Sequence, residues 1–353
     1  MRSTRIRAFS LVVPLTLAWG CSGDPNPLST SSAQLRPAST TLTIQSFDGA
    51  RSLTGSISGQ SYSFVTGAAY APARVLLTAS FPGIAFGAGI PAVTPAALAG
   101  ADIFVINPLA VELTSLEACF LGAFVDDGGA VLETRNLGAR PPLLGTTPGA
   151  GVGVGSPTIV HPSSPIITGP FGTVTAISTG FHYVFATWGD ATPVATALGQ
   201  PDLLQLDPST GRDGRAVLIG DEEIFIAPSV PGERSGHLAS ENNQKLLLNT
   251  FAYLDAAPGA GADAPYYRCG FEALQSALDA LAPAMNAGNL RSLQAKVDAA
   301  LRQAERGRFG TAANILGAFV HEVSAMERSG RLTPAAASSL EEAAELVIEL
   351  LAT

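Results

Sequence analysis

Charged side chains are scarce in this 353-residue sequence: Asp, Glu, Lys and Arg make up 14% of it, against 46% for apolar residues. The formal net charge is −9, and it becomes −12 once residues 1–20, with three arginines and no acidic residue, are removed. Nucleic acids and anionic lipid surfaces select basic patches, so the composition argues against both as partners. The length and the apolar content indicate two domains with large cores.

Apolar runs long enough to cross a membrane are also missing, because Pro, Gly or charge interrupts every later stretch. The first run, residues 8–19, has about a dozen residues, whereas a spanning helix needs about 20. It follows Arg2, Arg5 and Arg7 and is itself followed by Gly20. Basic, apolar and small-residue segments in this order predict a secretory signal peptide over residues 1–20.

The end of this signal carries a cysteine. Residues 17–21 read Leu-Ala-Trp-Gly-Cys, which resembles a bacterial lipobox, with the leucine one place early and a bulky Trp19 as departures. The resemblance implies lipidation at Cys21 and a lipid-anchored location in the bacterial cell envelope, facing the periplasm or the outer surface. The alternative is an ordinary signal peptide that passes a cysteine.

Cysteine is rare, with three residues in all. If Cys21 is lipidated, Cys119 and Cys269 remain, and in an exported protein they could form a disulfide. Two separate buried thiols are the alternative, which the apolar neighbours of Cys119 in a predicted helix favour slightly. Neither cysteine has a metal-type spacing such as C-x-x-C, and we predict no metal and no cofactor.

Composition divides the rest of the chain. Residues 21–40, rich in Ser, Pro and Thr, predict a tether. An α/β domain follows over 41–255, then a linker over 256–268 and a purely helical pattern over 269–353.

The α/β domain alternates apolar strands with helices. Strands are predicted at 74–79, 102–107, 130–134 and 214–220, with shorter β-like runs at 174–178, 182–187 and 193–197 and a closing helix at 241–254. Thr114 and Glu117 form a capping-box pattern at the start of a further helix, which we expect to end at Gly128-Gly129. Near-continuous apolar strands joined by helices indicate a mostly parallel sheet that is covered on both faces.

Residues 137–172 interrupt the alternation with Pro and Gly. Gly149, Gly151, Gly153 and Gly155 alternate there, but no helix follows that could supply the dipole of a phosphate loop. We therefore expect a flexible insertion.

The helical region predicts four amphipathic helices in a small antiparallel bundle. Gly288, Gly307 and Gly330 are expected just past helix ends, and Thr333-Pro334 is expected to begin the last helix. The apolar stripes are interpreted as core rather than as a cofactor site.

Two parts of the sequence resemble known families. Residues 60–255 resemble the class I glutamine amidotransferase-like fold in its non-amidotransferase branches, which implies a flavodoxin-like three-layer sandwich. The resemblance is carried by residues 101–107, 116–134, 161–172 and 214–254. Residues 292–307 and 313–348 resemble the FIMAH helical module of bacterial exported proteins, which implies an accessory role.

The sequence lacks the catalytic residues of the amidotransferase enzymes. Its enzymes carry a cysteine in a G-x-C-x-G turn after a core strand and an H-x-E pair, because the thiol needs a histidine base. Here the strand at 130–134 leads into Arg135-Asn136-Leu137-Gly138, and neither His182 nor His237 begins an H-x-E. We therefore predict no glutaminase activity and assign no catalytic residue.

Polar residues at predicted strand ends are the candidate ligand site, because parallel sheets bind ligands outside the carboxyl ends of their strands. They are Asn107, Thr134, Asn136, Asp221, Glu222 and Glu223. The alternative for Asp221 is that it caps backbone amides while the glutamates face water. His237, Glu241 and Asn242 could form a metal or catalytic cluster, although a solvated loop is favoured.

The sequence thus predicts a lipid-anchored envelope protein. Its α/β domain is expected to bind a protein or small-ligand partner without catalysis, beside a helical accessory module. The alternatives are an exported hydrolase that uses the acidic end of the last core strand and a structural envelope component.

Overall fold

The computed structural model describes residues 41–55, 59–134, 140–154, 156–226, 236–259 and 264–352. Within these ranges no helix combines the length and the apolar character needed to span a membrane.

An α/β domain comes first, and four helices follow it. The strands are β1 (Leu42–Ser46), β2 (Ile84–Phe86), β3 (Ile103–Ile106), β4 (Ala130–Thr134), β5 (Thr147–Val154), β6 (Thr158–Ile159), β7 (Thr168–Gly169), β8 (Gly172–Thr173), β9 (Phe181–Thr187), β10 (Thr192–Ala197), β11 (Gln200–Leu206) and β12 (Arg215–Ile219). The helices are α1 (Ala71–Ser80), α2 (Pro95–Leu98), α3 (Ser115–Asp126), α4 (Glu241–Asp255), α5 (Tyr267–Leu281), α6 (Ala287–Ala304), α7 (Phe309–Arg328) and α8 (Pro334–Leu350).

The main sheet has the strand order β2-β1-β3-β4-β12-β11-β10-β6. The first five strands pair in parallel, and β11, β10 and β6 add an antiparallel edge. The parallel part follows the flavodoxin-like order, which reverses between β1 and β3. The predicted fold class is therefore confirmed: a mostly parallel sheet in an α/β domain, with a helical C-terminal region.

Both faces of the sheet are covered, because its strands send alternate side chains to opposite sides. On β3, Ile103 and Val105 join a core that contains Phe251 of α4, whereas Phe104 and Ile106 join a second core that contains Phe124 of α3. All four β3 side chains are fully buried, which explains why the strand reads as a continuous apolar run.

Helix α3 begins where the sequence predicts. The Thr114 hydroxyl accepts the Glu117 N–H at 3.1 Å, and the Thr114 N–H donates to the Glu117 carboxylate at 2.9 Å, which completes the capping box. At the other end Gly128 has a φ of 106°, a conformation that glycine adopts without steric cost.

Three local predictions are wrong. Residues 74–79 lie in α1 rather than in a strand: Leu77 is fully buried and Val75 is 70% exposed, the one-sided burial of a surface helix. Residues 174–178 form no strand. Gly288 lies inside the first turn of α6, which Asn286 caps, rather than past a helix end.

The glycine-rich segment also differs from the expected insertion. Gly149, Gly151 and Gly153 lie in β5, which pairs antiparallel with β9. This arrangement offers no phosphate loop. Gly155 lies outside the described residues.

The four C-terminal helices share a core of their own. Leu274, Leu293, Phe319 and Leu340, one from each helix, are fully buried in it. Gly307 and Gly330 follow α6 and α7 with φ near 70°, as predicted for C-terminal caps. The predicted helical stripes are thus core positions.

Candidate functional site

The carboxyl ends of β4 and β12 are linked by a buried tyrosine. The Tyr70 hydroxyl donates to the Glu222 carbonyl at 2.8 Å and lies 3.4 Å from the Thr134 hydroxyl. Tyr70 and Thr134 are fully buried, and this burial raises the pKa of the Tyr70 phenol well above its ordinary value. The arrangement brings Thr134 and the chain at Glu222 together, but through an internal contact.

Asp221 holds the backbone that follows β12. It is 2% exposed, and its two carboxylate oxygens accept the N–H groups of Gly180 at 2.8 Å and Glu223 at 2.7 Å. This is the capping role considered for Asp221 from the sequence. Glu222 and Glu223 are half-buried, and Asn136 lies outside the described residues.

Asn107 lies at the β1/β3 switch of the sheet, where such folds often bind ligands. It is fully buried, and its amide N–H group donates to the Ser52 hydroxyl at 2.9 Å and to the Pro108 carbonyl at 3.0 Å. The Leu53 N–H also donates to the Pro108 carbonyl at 2.8 Å. The loops after β1 and β3 are therefore bonded to each other. Ligand binding at the predicted strand-end residues stays a prediction.

A serine and a histidine that sequence reasoning did not connect meet near the same edge. The Ser178 hydroxyl lies 2.8 Å from His237 Nδ1. Asn243 of α4 fixes the serine backbone: its side chain accepts the Ser178 N–H at 3.0 Å and donates to the Ser178 carbonyl at 2.6 Å. The sequence carries no signal of this contact, because Asn243 is one of five consecutive polar residues at 241–245.

The cluster considered around His237 is not assembled. Glu241 pairs with Lys245 at 2.6 Å, and Asn242 accepts the Thr175 N–H at 3.0 Å. Within the described part of the chain, no group of three or more His, Cys, Asp or Glu side chains is arranged to hold a metal ion.

A buried ion pair lies beside the end of β4, after which the amidotransferase resemblance would place a nucleophile. Arg140 Nε lies 3.0 Å from the Glu133 carboxylate, and both side chains are fully buried. The same guanidinium donates to the Thr146 hydroxyl at 2.8 Å and to its carbonyl at 3.2 Å. The pair holds residue 140 next to β4.

The α/β domain and the helical module are covalently joined. Cys119 of α3 and Cys269 of α5 form a disulfide with a Cα–Cα distance of 5.6 Å. The expectation of two separate thiols, slightly favoured from the sequence, is therefore wrong. It failed because the helical pattern around Cys119 showed burial but not the approach of α5. Beside the disulfide, Phe120 packs edge-on against Tyr266 at 5.8 Å between ring centroids.

A groove of about 580 Å³ opens where these two parts meet. The α/β domain contributes Val93, Val111 and Phe120, and α8 contributes Leu346 and Leu350; the complete lining is Arg51, Ala92, Val93, Thr94, Pro95, Ala96, Val111, Glu112, Thr114, Leu116, Glu117, Phe120, Leu346, Glu349 and Leu350. Ligand pockets commonly have this size and apolar character. Sequence reasoning missed the groove.

An ion pair stands in the wall of the groove. The Arg51 guanidinium contacts both carboxylate oxygens of Glu117, at 2.8 and 3.0 Å. Burial raises the pKa of Glu117, but hydrogen bonds from Arg51, Thr114 and Val93 outweigh it, so the pKa is lowered overall. The carboxylate is thus charged and fully engaged at neutral pH.

Residues 271–349 match the FIMAH domain, which confirms the FIMAH resemblance. No curated protein matches the chain. Among solved structures, the mmIFT52 N-terminal domain is similar at 15% identity, covering 62% of this chain and 99% of that one with a TM-score of 0.43. A cytoplasmic protein of Salmonella typhimurium shows 12% identity, with coverages of 61% and 99% and a TM-score of 0.41. A ThuA-like protein of Bacteroides uniformis shows 9% identity, with coverages of 66% and 95% and a TM-score of 0.38. These structural similarities are too weak to assign a family to the α/β domain.

Proposed function

We propose that the chain is an exported, lipid-anchored envelope protein with a non-catalytic, binding α/β domain. That domain is a degenerate amidotransferase-like module, and the FIMAH module is an accessory part held against it. The membrane contact is the lipid on Cys21, and the partner of the α/β domain is a protein or a small ligand.

The disulfide between Cys119 and Cys269 carries the proposal. Disulfides persist in oxidising compartments outside the cytosol, which agrees with a signal peptide ahead of the folded domains. The same bond removes both cysteines as thiolate nucleophiles, since only a free thiolate attacks. Residues 135–139, which follow β4, contain no cysteine that could replace them.

The buried strand-end residues argue against acid–base catalysis at this edge of the sheet. Asp221 and Thr134 are buried and bonded within the protein, and both oxygens of the Asp221 carboxylate already accept backbone N–H groups. A general base must reach the proton of its substrate, and Asp221 is poorly placed to do so.

A hydrolase is the second candidate, favoured by the contact between Ser178 and His237. A histidine that accepts the serine proton would activate the hydroxyl as a nucleophile. Turnover of a p-nitrophenyl ester that is lost in Ser178→Ala but retained in Ser164→Ala would establish this activity in place of the non-catalytic proposal.

The lipid anchor is tested with Cys21→Ser. Wild-type protein should sediment with membranes, and the variant should move to the soluble exported fraction because it lacks the acylated thiol. Ser22→Ala, which leaves the cysteine in place, is the matched control and should remain on the membrane. If the cysteine variant stays membrane-bound, the anchor is excluded.

The absence of glutaminase chemistry is tested separately. Purified protein incubated with glutamine should release no ammonia, with and without reductant. Ammonia release that appears on reduction and disappears in Cys119→Ala would show that the disulfide masks a nucleophile, which would refute the non-catalytic proposal.

A further inference from the structure

The groove between the α/β domain and the helical module has a defined chemical character, and its use as a ligand site rests on the function proposed above. Its walls are mainly aliphatic and aromatic, with Val93, Val111 and Phe120 facing Leu346 and Leu350. Val111 is 61% exposed at the groove. The apolar walls would accept an apolar body by desolvation.

The charges at the groove select against anions. Among the described residues that line it, Arg51 is the only basic one. Its guanidinium donates to the carbonyls of Val111 at 2.7 Å, Pro91 at 2.9 Å and Glu112 at 2.9 Å, in addition to Glu117. An arginine has five N–H donors, and these five contacts use them all. The described part of the lining therefore leaves no positive group for a carboxylate or phosphate.

A carboxylate is available instead. Glu349 is exposed on α8 and lines the groove beside Leu346 and Leu350. A cationic group at the mouth would meet this negative charge, and the net negative charge of the whole chain would also favour its approach.

The two walls are held in a fixed relation. The disulfide joins α3, which carries Phe120, to α5 at Cys269. At Gly270 of α5, helix α8 comes very close: a Cβ at this position would lie 3.0 Å from Leu350 Cδ1 and 3.1 Å from Val347 Cγ2. The glycine therefore lets α8 seat against α5, which places Leu346 and Leu350 over α3. A site with fixed walls loses little entropy when it binds.

We propose that this groove binds a small molecule that combines an apolar body with a cationic group. Decyltrimethylammonium and decyl sulfate, used below their micelle concentrations, are matched probes because they share the chain and differ in headgroup charge. The full chain with Cys21→Ser, which needs no detergent, is titrated with each by isothermal calorimetry. We expect saturable binding of the ammonium probe, with an affinity at least about tenfold higher than that of the sulfate probe. The reason is that the donors of Arg51 are all used within the protein, whereas the Glu349 carboxylate is exposed.

Matched variants locate the site. Val111→Asn should weaken binding of the ammonium probe about tenfold, whereas Val160→Asn, the same change at a 49% exposed valine outside the groove, should leave it unchanged. Glu349→Gln should weaken it by up to about fivefold, the upper range for an exposed ion pair, and Glu345→Gln, exposed on the same helix, should not. Circular dichroism confirms that each variant is folded.

Three results would overturn the proposal: equal affinity for the two probes, unchanged binding in Val111→Asn and Glu349→Gln, or equal losses in the control variants. None of them bears on membrane anchoring or on ammonia release. A failure here would therefore leave the lipid anchor and the absence of glutaminase activity standing.

Discussion

Removing the disulfide should destabilise the protein far more than losing the packing of its two sulfur atoms. The bond spans 150 residues of chain. In the loop-entropy description, closing a loop of that length restricts the unfolded chain by about 5 kcal/mol, and losses of native disulfides are typically about 2–5 kcal/mol. A free buried cysteine changed to alanine would cost only about 1 kcal/mol. The double variant Cys119→Ala/Cys269→Ala should therefore lose about 2–5 kcal/mol of unfolding free energy.

Two spectroscopic probes separate the parts of the molecule during urea unfolding. Trp188 packs against the core that contains residues of α3, is the only tryptophan of the sequence outside residues 1–20, and reports on the α/β domain. Far-ultraviolet circular dichroism is dominated by the helices. In the wild-type protein the two transitions should coincide, because the bond couples the two cores. In the double variant the circular-dichroism transition should move to lower urea and separate from the fluorescence transition.

Wild-type protein with dithiothreitol is the control, because it breaks the bond and keeps both sulfur atoms. It should match the double variant within the cost of the two truncations. The reasoning would be refuted if the double variant unfolded within about 1 kcal/mol of the oxidised protein, the ordinary effect of a point change. It would also be refuted if unreduced, denatured protein titrated with two free thiols.

Three further predictions follow from particular contacts. Arg140→Met should cost about 3–5 kcal/mol of unfolding free energy, because it strands the buried Glu133 carboxylate, and Glu133→Leu/Arg140→Met should recover most of it in urea unfolding. The lowered pKa of Glu117 contributes stability that is present above its ordinary pKa of 4.5 and is lost as the pH falls through the folded value, so the melting temperature should drop in acid, and less so in Arg51→Met. Residues 266–353 expressed alone should give a helical circular-dichroism spectrum and unfold cooperatively, because their core lies among their own helices; a disordered spectrum would contradict this.

Elements with strong local signals were predictable from the sequence. The Thr114–Glu117 capping box, the apolar run at 102–107 and the four C-terminal helices all depend on residues within a few positions of one another. The strand predicted at 74–79 was wrong because a short apolar run fits a half-buried helix as well as a buried strand. Its context decided the outcome, since Ala-rich neighbours and Pro72 in the first turn favour a helix.

Most features that the sequence did not predict depend on contacts between residues that are distant along the chain. β1 was not predicted, although it lies between β2 and β3 in the sheet and alternates the apolar Leu42 and Ile44 with the polar Thr43 and Gln45, because this strand pattern covers only five residues. The pairing of Cys119 with Cys269 and the contact of Ser178 with His237 each join residues that are far apart in sequence. The spacing of residues along the chain does not indicate such pairs, because only the fold brings their members together.

The polar residues at the carboxyl edge of the sheet are already bonded within the protein, so the groove lies elsewhere. Asn107, Thr134 and Asp221 lie at strand ends where a parallel sheet would normally meet a ligand, yet each is buried and bonded inside the protein. The groove is a separate surface, and α8 supplies one of its walls through Leu346 and Leu350. Neither wall alone encloses the groove, so the affinity of the ammonium probe should depend on both. If the helical module were only a spacer, substitutions on α8 would leave that affinity unchanged, and the comparison of Glu349→Gln with Glu345→Gln distinguishes the two roles.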